Sequence, residues 1–239
     1  MSSPDPLRNV RVVLSQPSHP GNIGAAARAM KTMGLRQLWL VRPRTLPDEA
    51  ADAMAAGAAD VLASARVCPN LDAALAGTVL AVATTSRYRD LPPPVLSPRE
   101  AAVRLVAEAR THPVALVFGR EAFGLAGDEV SRCQIVVNIP ADAEYGSLNL
   151  AAAVQVMAYE TRLAAISRGT LPVPEFEPAS LDEIERLFEA MEKTLMDTGF
   201  LEPEHPGRLM VRLRRLFSRT RLEREEVAIL RGIFRSMAK

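Results

Sequence analysis

Several things are scarce in this chain, and each scarcity excludes something. There are two cysteines, Cys68 and Cys133, far apart and without C-x-x-C spacing. That argues against a disulfide framework and a cysteine zinc site, and it fits a reducing compartment. Two buried free thiols account for both. The three histidines, His19, His112 and His205, are scattered with no metal-ligand spacing. No apolar run of about 18 residues occurs, and the opening MSSPDPLRN carries no apolar signal core. The expectation is therefore a soluble, cytoplasmic protein with no membrane partner. Also missing are G-x-G-x-x-G after a strand, G-x-x-x-x-G-K-[ST], H-E-x-x-H and G-x-S-x-G, so Ser147 is a poor candidate for a hydrolase nucleophile. Aromatics make up only 5%. Ala, Val and Leu must then fill the core, which suits helices laid on a parallel sheet.

Hydrophobic residues are plentiful, at 48% of 239, enough for one large domain or a domain plus an extension. Short apolar runs at Val10–Leu14, Gln37–Val41, Thr78–Ala83, Val114–Phe118 and Ile135–Val137 read as strands. Helical patterns lie between them, over Gly21–Met33 with Gly34 beyond its end, Ala50–Ala59, Ser97–Arg110 and Ser147–Ser167. Ser97, Pro98 and Glu100 form a capping box with proline at the first helical position. Thr84–Leu96 reads as a polar, proline-rich loop. This alternation predicts an α/β fold with a mostly parallel sheet. A proline-rich linker over 171–179 then leads to helices at Ser180–Asp197, 206–217 and 221–237, with capping boxes at Ser180/Glu183 and Thr220/Glu223. The predicted division is 1–170, a linker over 171–179, and a helical extension over 180–239.

Net charge is +1 but unevenly spread. From Leu171 to Glu204 there are 10 acids against 2 bases; from His205 to Lys239 there are 10 bases against 3 acids. Such asymmetry reads as a self-complementary contact or as a nucleic-acid surface.

Polar residues and glycines gather at the carboxyl ends of the strands, where open α/β sheets bind ligands. One cluster holds Asn22 at a helix N-terminus with Arg28 further along it; as a bland alternative it is a turn plus a surface arginine. A second is Thr84-Thr85-Ser86-Arg87-Tyr88-Arg89, and a third runs from Phe118 through Gly119, Arg120 and Glu121 to Gly124. The fourth, YGSLNLAAAVQ from Tyr145, sets Ser147 and Asn149 at the mouth of a helix. Ser147 reads as its N-cap; Asn149, a poor helix former placed in the first turn, then lacks a structural reason.

Three blocks, LSQPSHPGNIGAAARAMKTMGLRQLWLV (14–41), ALVFGREAFGLAGDEV (115–130) and IPADAEYGSLNLAAAVQVMAYE (139–160), together resemble the TrmH-related branch of the SPOUT RNA methyltransferases. The order matches, and the likeness spans most of residues 8–168. The ARAMKTMGL run, the TTSRYRDLPPPVLSPRE segment and the helical extension are most similar to its TrmJ subgroup. The resemblance implies a parallel sheet with a C-terminal trefoil knot, which no unaided reading would choose because knots are so rare. It implies S-adenosyl-L-methionine as cofactor, S-adenosyl-L-homocysteine as product, and a homodimer whose subunits both line each active site. It implies methylation of the ribose 2′-oxygen of a tRNA cytidine or uridine at nucleotide 32, in the anticodon loop.

By the same resemblance Arg28, Asn22, Glu121, Ser147 and Asn149 are the catalytic set. Thr84, Thr85, Ser86, Gly119, Ile139, Gly146, Ser147 and Leu148 correspond to the cofactor loops, with Gly146 standing where relatives often carry serine. Because a guanidinium holds its proton tightly, Arg28 is read as a binder of phosphate and developing alkoxide rather than as a base. RNA contacts are expected at Arg8, Arg11, Arg87, Arg89, Arg212, Arg214 and Arg215; for the last three, a partner role toward the acidic helix is the alternative. No metal is expected. The rival readings are a SPOUT enzyme of another RNA site, in ribosomal RNA or the tRNA D-loop; a non-catalytic knotted RNA-binding module; and a doubly wound nucleotide-binding α/β protein, disfavoured by the missing phosphate loop.

Overall fold

Successive residues of each strand point into two different cores, and this alternation builds the molecule. In the computed structural model, residues 5–87, 92–167, 176–202, 204 and 207–237 are described. Seven strands form one sheet: β1 Val10–Ser15, β2 Gln37–Val41, β3 Arg66–Cys68, β4 Leu80–Thr84, β5 Val95–Leu96, β6 Val114–Phe118 and β7 Ile135–Val137. Their order is β3-β2-β1-β6-β4-β7-β5, and every pairing is parallel. Val12, Leu14, Leu40, Leu116 and Phe118 face one core, while Val13, Trp39, Val41, Ala115 and Val117 face the other.

The first core is covered by α1 Pro20–Thr32, α2 Glu49–Ala55, α3 Ala59–Ala63, α5 Pro98–Ala109 and α7 Leu150–Ile166. The second is covered by α4 Leu71–Leu75, α6 Gly127–Ser131 and the start of α8 Leu181–Asp197. With few bulky aromatics, close packing falls to small residues. A Cβ at Gly24 of α1 would lie 2.0 Å from the Ala51 carbonyl oxygen of α2, so only glycine permits this approach.

The chain ends in α9 Leu209–Ser218 and α10 Arg224–Met237. With α8 these enclose a third, small core of Ala179, Leu187, Leu222 and Val227. Main-chain and side-chain bonds hold this unit to the sheet: Leu181 N–H donates to the Thr78 carbonyl at 2.7 Å, and Gly77 N–H to Asp182 at 3.0 Å. Arg221 pairs with Glu108 at 2.5 Å.

The parallel α/β expectation holds, and local details differ. Strands β3 and β5 escape the sequence reading because one is three residues long and largely exposed, and the other is two residues within the proline-rich segment. The predicted helix Ala50–Ala59 breaks at Ala56 and Gly57, both at positive φ. α7 begins at Leu150, three residues later than expected: Asn149 is its N-cap, accepting from Ala151 N–H at 2.9 Å, and Ser147 lies before it. The Thr220/Glu223 box also shifts, since Glu223 N–H donates instead to Glu226 ahead of α10.

Candidate active site

The neighbours β1, β6, β4 and β7 bring their carboxyl ends side by side, and the loops leaving β4, β6 and β7 converge there. The result is a cleft lined by Thr84–Arg87, Phe118–Ala122, Gly124, Ile139 and Gly146–Leu148, with Leu150 and Ala153 of α7 behind. Open parallel sheets place their ligand sites at this end of the strands. All of the expected cofactor residues, Thr84, Thr85, Ser86, Gly119, Ile139, Gly146, Ser147 and Leu148, line this one cleft.

Backbone geometry explains the glycines. Arg120 and Gly124 pair across a tight turn, and a Cβ on Gly119 would sit 2.1 Å from the Gly124 carbonyl carbon. Gly124 itself has φ +62°. In the third loop Asp142 accepts from Glu144 and Tyr145 N–H at 2.8 and 3.1 Å. A Cβ at Gly146 would lie 3.1 Å from the Asp142 carbonyl oxygen, a close contact in this tight turn.

Beside the cleft, a chain of hydrogen bonds links three distant segments. Glu121 accepts from Ser18 N–H and Oγ–H (3.1 and 2.8 Å), from His19 N–H (3.3 Å) and from Asn22 Nδ2 (3.1 Å). Asn22 Oδ1 accepts from Asn149 Nδ2 at 3.0 Å, and Asn149 Oδ1 caps α7. Partial burial pushes the Glu121 pKa up, but bonds from its own N–H, Asn22 and Ser18 outweigh this and hold it below the usual glutamate range. The carboxylate is thus a charged anchor for the β1–α1 loop. Asn149, puzzling as a first-turn residue, is explained as cap and bridge together.

The other expected residues are placed as follows. Ser147 is exposed on the cleft wall. Arg28 is exposed on the third turn of α1, two turns beyond Asn22, and among the described residues it makes no hydrogen bond to the Glu121–Asn22–Asn149 chain. Arg87 reaches across the cleft to the Ala122 carbonyl at 3.2 Å. Arg8 and Arg212 are exposed, and Arg89 lies outside the described residues.

Three of the arginines expected on RNA make contacts within the chain. Arg11 stacks on Trp39 at 4.5 Å and donates to the Ala74 and Ala76 carbonyls, where it closes the end of α4. Burial first, then the nearby charge of Arg66, lowers its pKa. Arg214 forms a two-pronged pair with Glu185 at 2.6 and 2.8 Å and lies over Phe188 at 4.4 Å. The basic segment therefore does bind the acidic helix at this position. Arg215 donates to the Pro92 carbonyl at 3.0 Å.

Sequence reasoning missed some of the site. Gln16, at φ +49°, accepts from Arg120 Nε at 3.0 Å, so Arg120 braces the first loop. Ser15 donates to the buried Glu129, whose other oxygen accepts from Ala126 N–H at 2.6 Å. The spacing of Ala126 and Glu129 at the mouth of α6 was the available signal for that pair. Cys133 is buried and its thiol is pushed up to about 12 by that burial, so it stays an unreactive core residue. Among the described residues no cluster of metal-binding side chains occurs, and no helix is long and apolar enough to cross a membrane.

Comparison with known proteins matches this geometry. The model of the SpoU rRNA Methylase family matches residues 9–159, and that of the tRNA methyltransferase TrmJ C-terminal domain matches 182–239. The tRNA (cytidine/uridine-2′-O-)-methyltransferase TrmJ of Klebsiella pneumoniae is 52% identical over 236 residues, 97% of each chain. The crystal structure of TrmJ from Z. mobilis ZM4 superimposes with a TM-score of 0.84 at 33% identity, covering 96% of this chain and 99% of that one. The SpoU methyltransferase AviRb from Streptomyces viridochromogenes, solved with the cofactor AdoMet, shares the fold at TM-score 0.53 and 23% identity over 65% of this chain and 57% of that one. Matched from its first strand to its last helix, the chain belongs to the SpoU methylase family, in the TrmJ branch.

Proposed function

We propose that this chain is an S-adenosylmethionine-dependent methyltransferase that modifies the ribose 2′-oxygen of a tRNA cytidine or uridine at nucleotide 32, working as a homodimer. The carrying observation is the convergence of three loops, two of them glycine-bearing, on one cleft beside the Glu121–Asn22–Asn149 chain. Full-length likeness to relatives named as tRNA 2′-O-methyltransferases supports the RNA and the reaction. Nucleotide 32 rests on the TrmJ likeness, which includes the C-terminal helices. Residues 1–170 serve as the catalytic domain and 180–239 as the extension that helps select the RNA.

The cleft fits the cofactor. The Thr84 hydroxyl is buried at its wall without a hydrogen-bond partner, a group that ligand binding would satisfy. Ile139, Leu148, Leu150 and Ala153 offer an apolar surface, and the cramped Gly119 turn leaves its backbone bare. S-adenosylmethionine supplies the methyl group on a sulfonium centre. The chain's own part is orientation, which accounts for much of the rate in two-reactant transfers. Glu121 fixes the loop over 16–22, Asn22 and Asn149 fix each other, and Thr84–Ser86, Gly119 and Gly146–Leu148 hold the cleft.

Arg28 supports the homodimer. It projects from α1 toward solvent, with no hydrogen bond to its own chain's cluster. Acting in the partner's site, it would hold the phosphate beside the target and steady the charge growing on the 2′-oxygen.

The test is to treat unmodified tRNA transcripts with protein and map ribose methylation. Methylation at nucleotide 32 is expected; a different nucleotide, or ribosomal RNA as the preferred substrate, overturns the assignment. Arg28→Ala should lower kcat by about 10²–10³-fold with cofactor binding intact. Mixed dimers of Arg28→Ala and Asn149→Ala chains should recover part of the activity, which a self-contained monomeric site cannot do.

A further inference from the structure

The arginines of α9 share a charge but not an environment. Arg212 is exposed, whereas Arg214 is locked between Glu185 and Phe188 and so sets the rotation of the helix. That rotation turns Arg215 toward the catalytic domain, where its Nε donates to the Pro92 carbonyl at 3.0 Å. Pro92 ends the connection that starts at Thr85 on the cleft wall. Two residues further on, the Pro94 carbonyl accepts from Val136 N–H of β7 at 2.9 Å, so the strand side of this connection is already fixed. α9 also faces the second cofactor loop: Met210, Val211 and Arg214 line one groove with Pro93, Gly127 and Val130, at the point where the Gly119–Ala126 loop enters α6. Arg87 then ties the two loops together through the Ala122 carbonyl.

We propose that α9 buttresses both cofactor loops and that Arg215 is its positioning residue, setting affinity for S-adenosylmethionine through the Pro92 carbonyl instead of contacting RNA. This inference rests on the cofactor reading of the cleft. A hydrogen bond from a charged donor is among the stronger ones, and this one joins segments 123 residues apart. The extension thereby acts on the cofactor before any RNA arrives.

The experiment is calorimetric titration of S-adenosylmethionine into the full chain without RNA, for wild type, Arg215→Ala, Arg215→Gln and Arg215→Lys, with thermal unfolding of each. The substitutions separate donor position from charge. The glutamine amide nitrogen stands at the same place along the side chain as arginine Nε, without charge; the lysine amine keeps the charge one atom further out. Arg215→Ala should weaken cofactor binding about tenfold, the loss of roughly one charge-assisted hydrogen bond. Arg215→Gln should return it to within about twofold of wild type, and Arg215→Lys should recover less. Full cofactor affinity in Arg215→Ala, or recovery by Lys and not by Gln, overturns the inference. So does a loss seen only in tRNA affinity, with a salt slope shallower by about one, because that marks a phosphate contact. If the wild type fails to bind S-adenosylmethionine, the cofactor reading itself falls, and the two failures are thus told apart. Should Arg215→Ala unfold early, the Gln and Lys pair decides alone.

Discussion

The sheet half and the extension are built from similar helices held in different ways. α1 buries six of its residues, Ile23, Gly24, Ala26, Ala27, Ala29 and Met30, against strands that are themselves almost fully enclosed. α9 buries none of its residues and α10 only Val227. The extension relies on a small core and on charged contacts such as Arg214–Glu185 and Arg221–Glu108. Hydrophobic burial is not weakened by electrostatic screening, whereas exposed and half-exposed ion pairs are. The teaching is that one chain carries a rigid reaction centre and a more yielding attachment.

Four measurements test that contrast. Leu116→Ala, in the middle of the sheet, should cost about 4 kcal/mol in urea unfolding, because its surroundings cannot collapse. Leu187→Ala should cost about 2 kcal/mol, since the small core lies close to solvent and relaxes; an equal cost at both sites would remove the distinction. A double-mutant cycle on Arg214 and Glu185 should give a coupling of about 1 kcal/mol at low salt that shrinks in 1 M salt on screening grounds. A salt-independent coupling would make the attachment as rigid as the sheet.

The smallest effect concerns pH. The folded Glu121 carboxyl is held below its ordinary pKa, so its stabilising contribution is present above the unfolded value and is lost as pH falls through the folded value. Glu121→Gln should therefore lower stability most at neutral pH, converge with wild type in acid, and so flatten the acid limb of a stability-against-pH curve. An unchanged acid limb would mean that Glu121 does not anchor the loop.

Much of this was legible in the sequence, for identifiable reasons. Apolar runs such as Val114–Phe118 are buried on both faces and announce themselves. Ser97–Glu100 is a local code, and it forms as expected. Asn149 was seen as special, but its capping role was assigned to Ser147, because both residue types cap helices and only the backbone decides which does. Arg212, Arg214 and Arg215 look alike in sequence; a rotation of about 100° per residue gives them different neighbours. The contacts of Arg11 are not legible either, because a strand arginine facing a tryptophan resembles any basic surface residue until Trp39 is placed. The strand order β3-β2-β1-β6-β4-β7-β5 is not encoded in any local pattern, because it is set by contacts between segments far apart in the chain.

The asparagine pair carries one more consequence. Asn22 opens the first long helix and Asn149 starts the last helix of the sheet layer, 127 residues later. One side chain serves both ends: its oxygen caps the later helix and, held there, its nitrogen is aimed at the earlier segment. The enclosure needs both ends of the sheet domain, and a nascent polypeptide that has not yet reached Leu150 lacks one wall of its own reaction chamber.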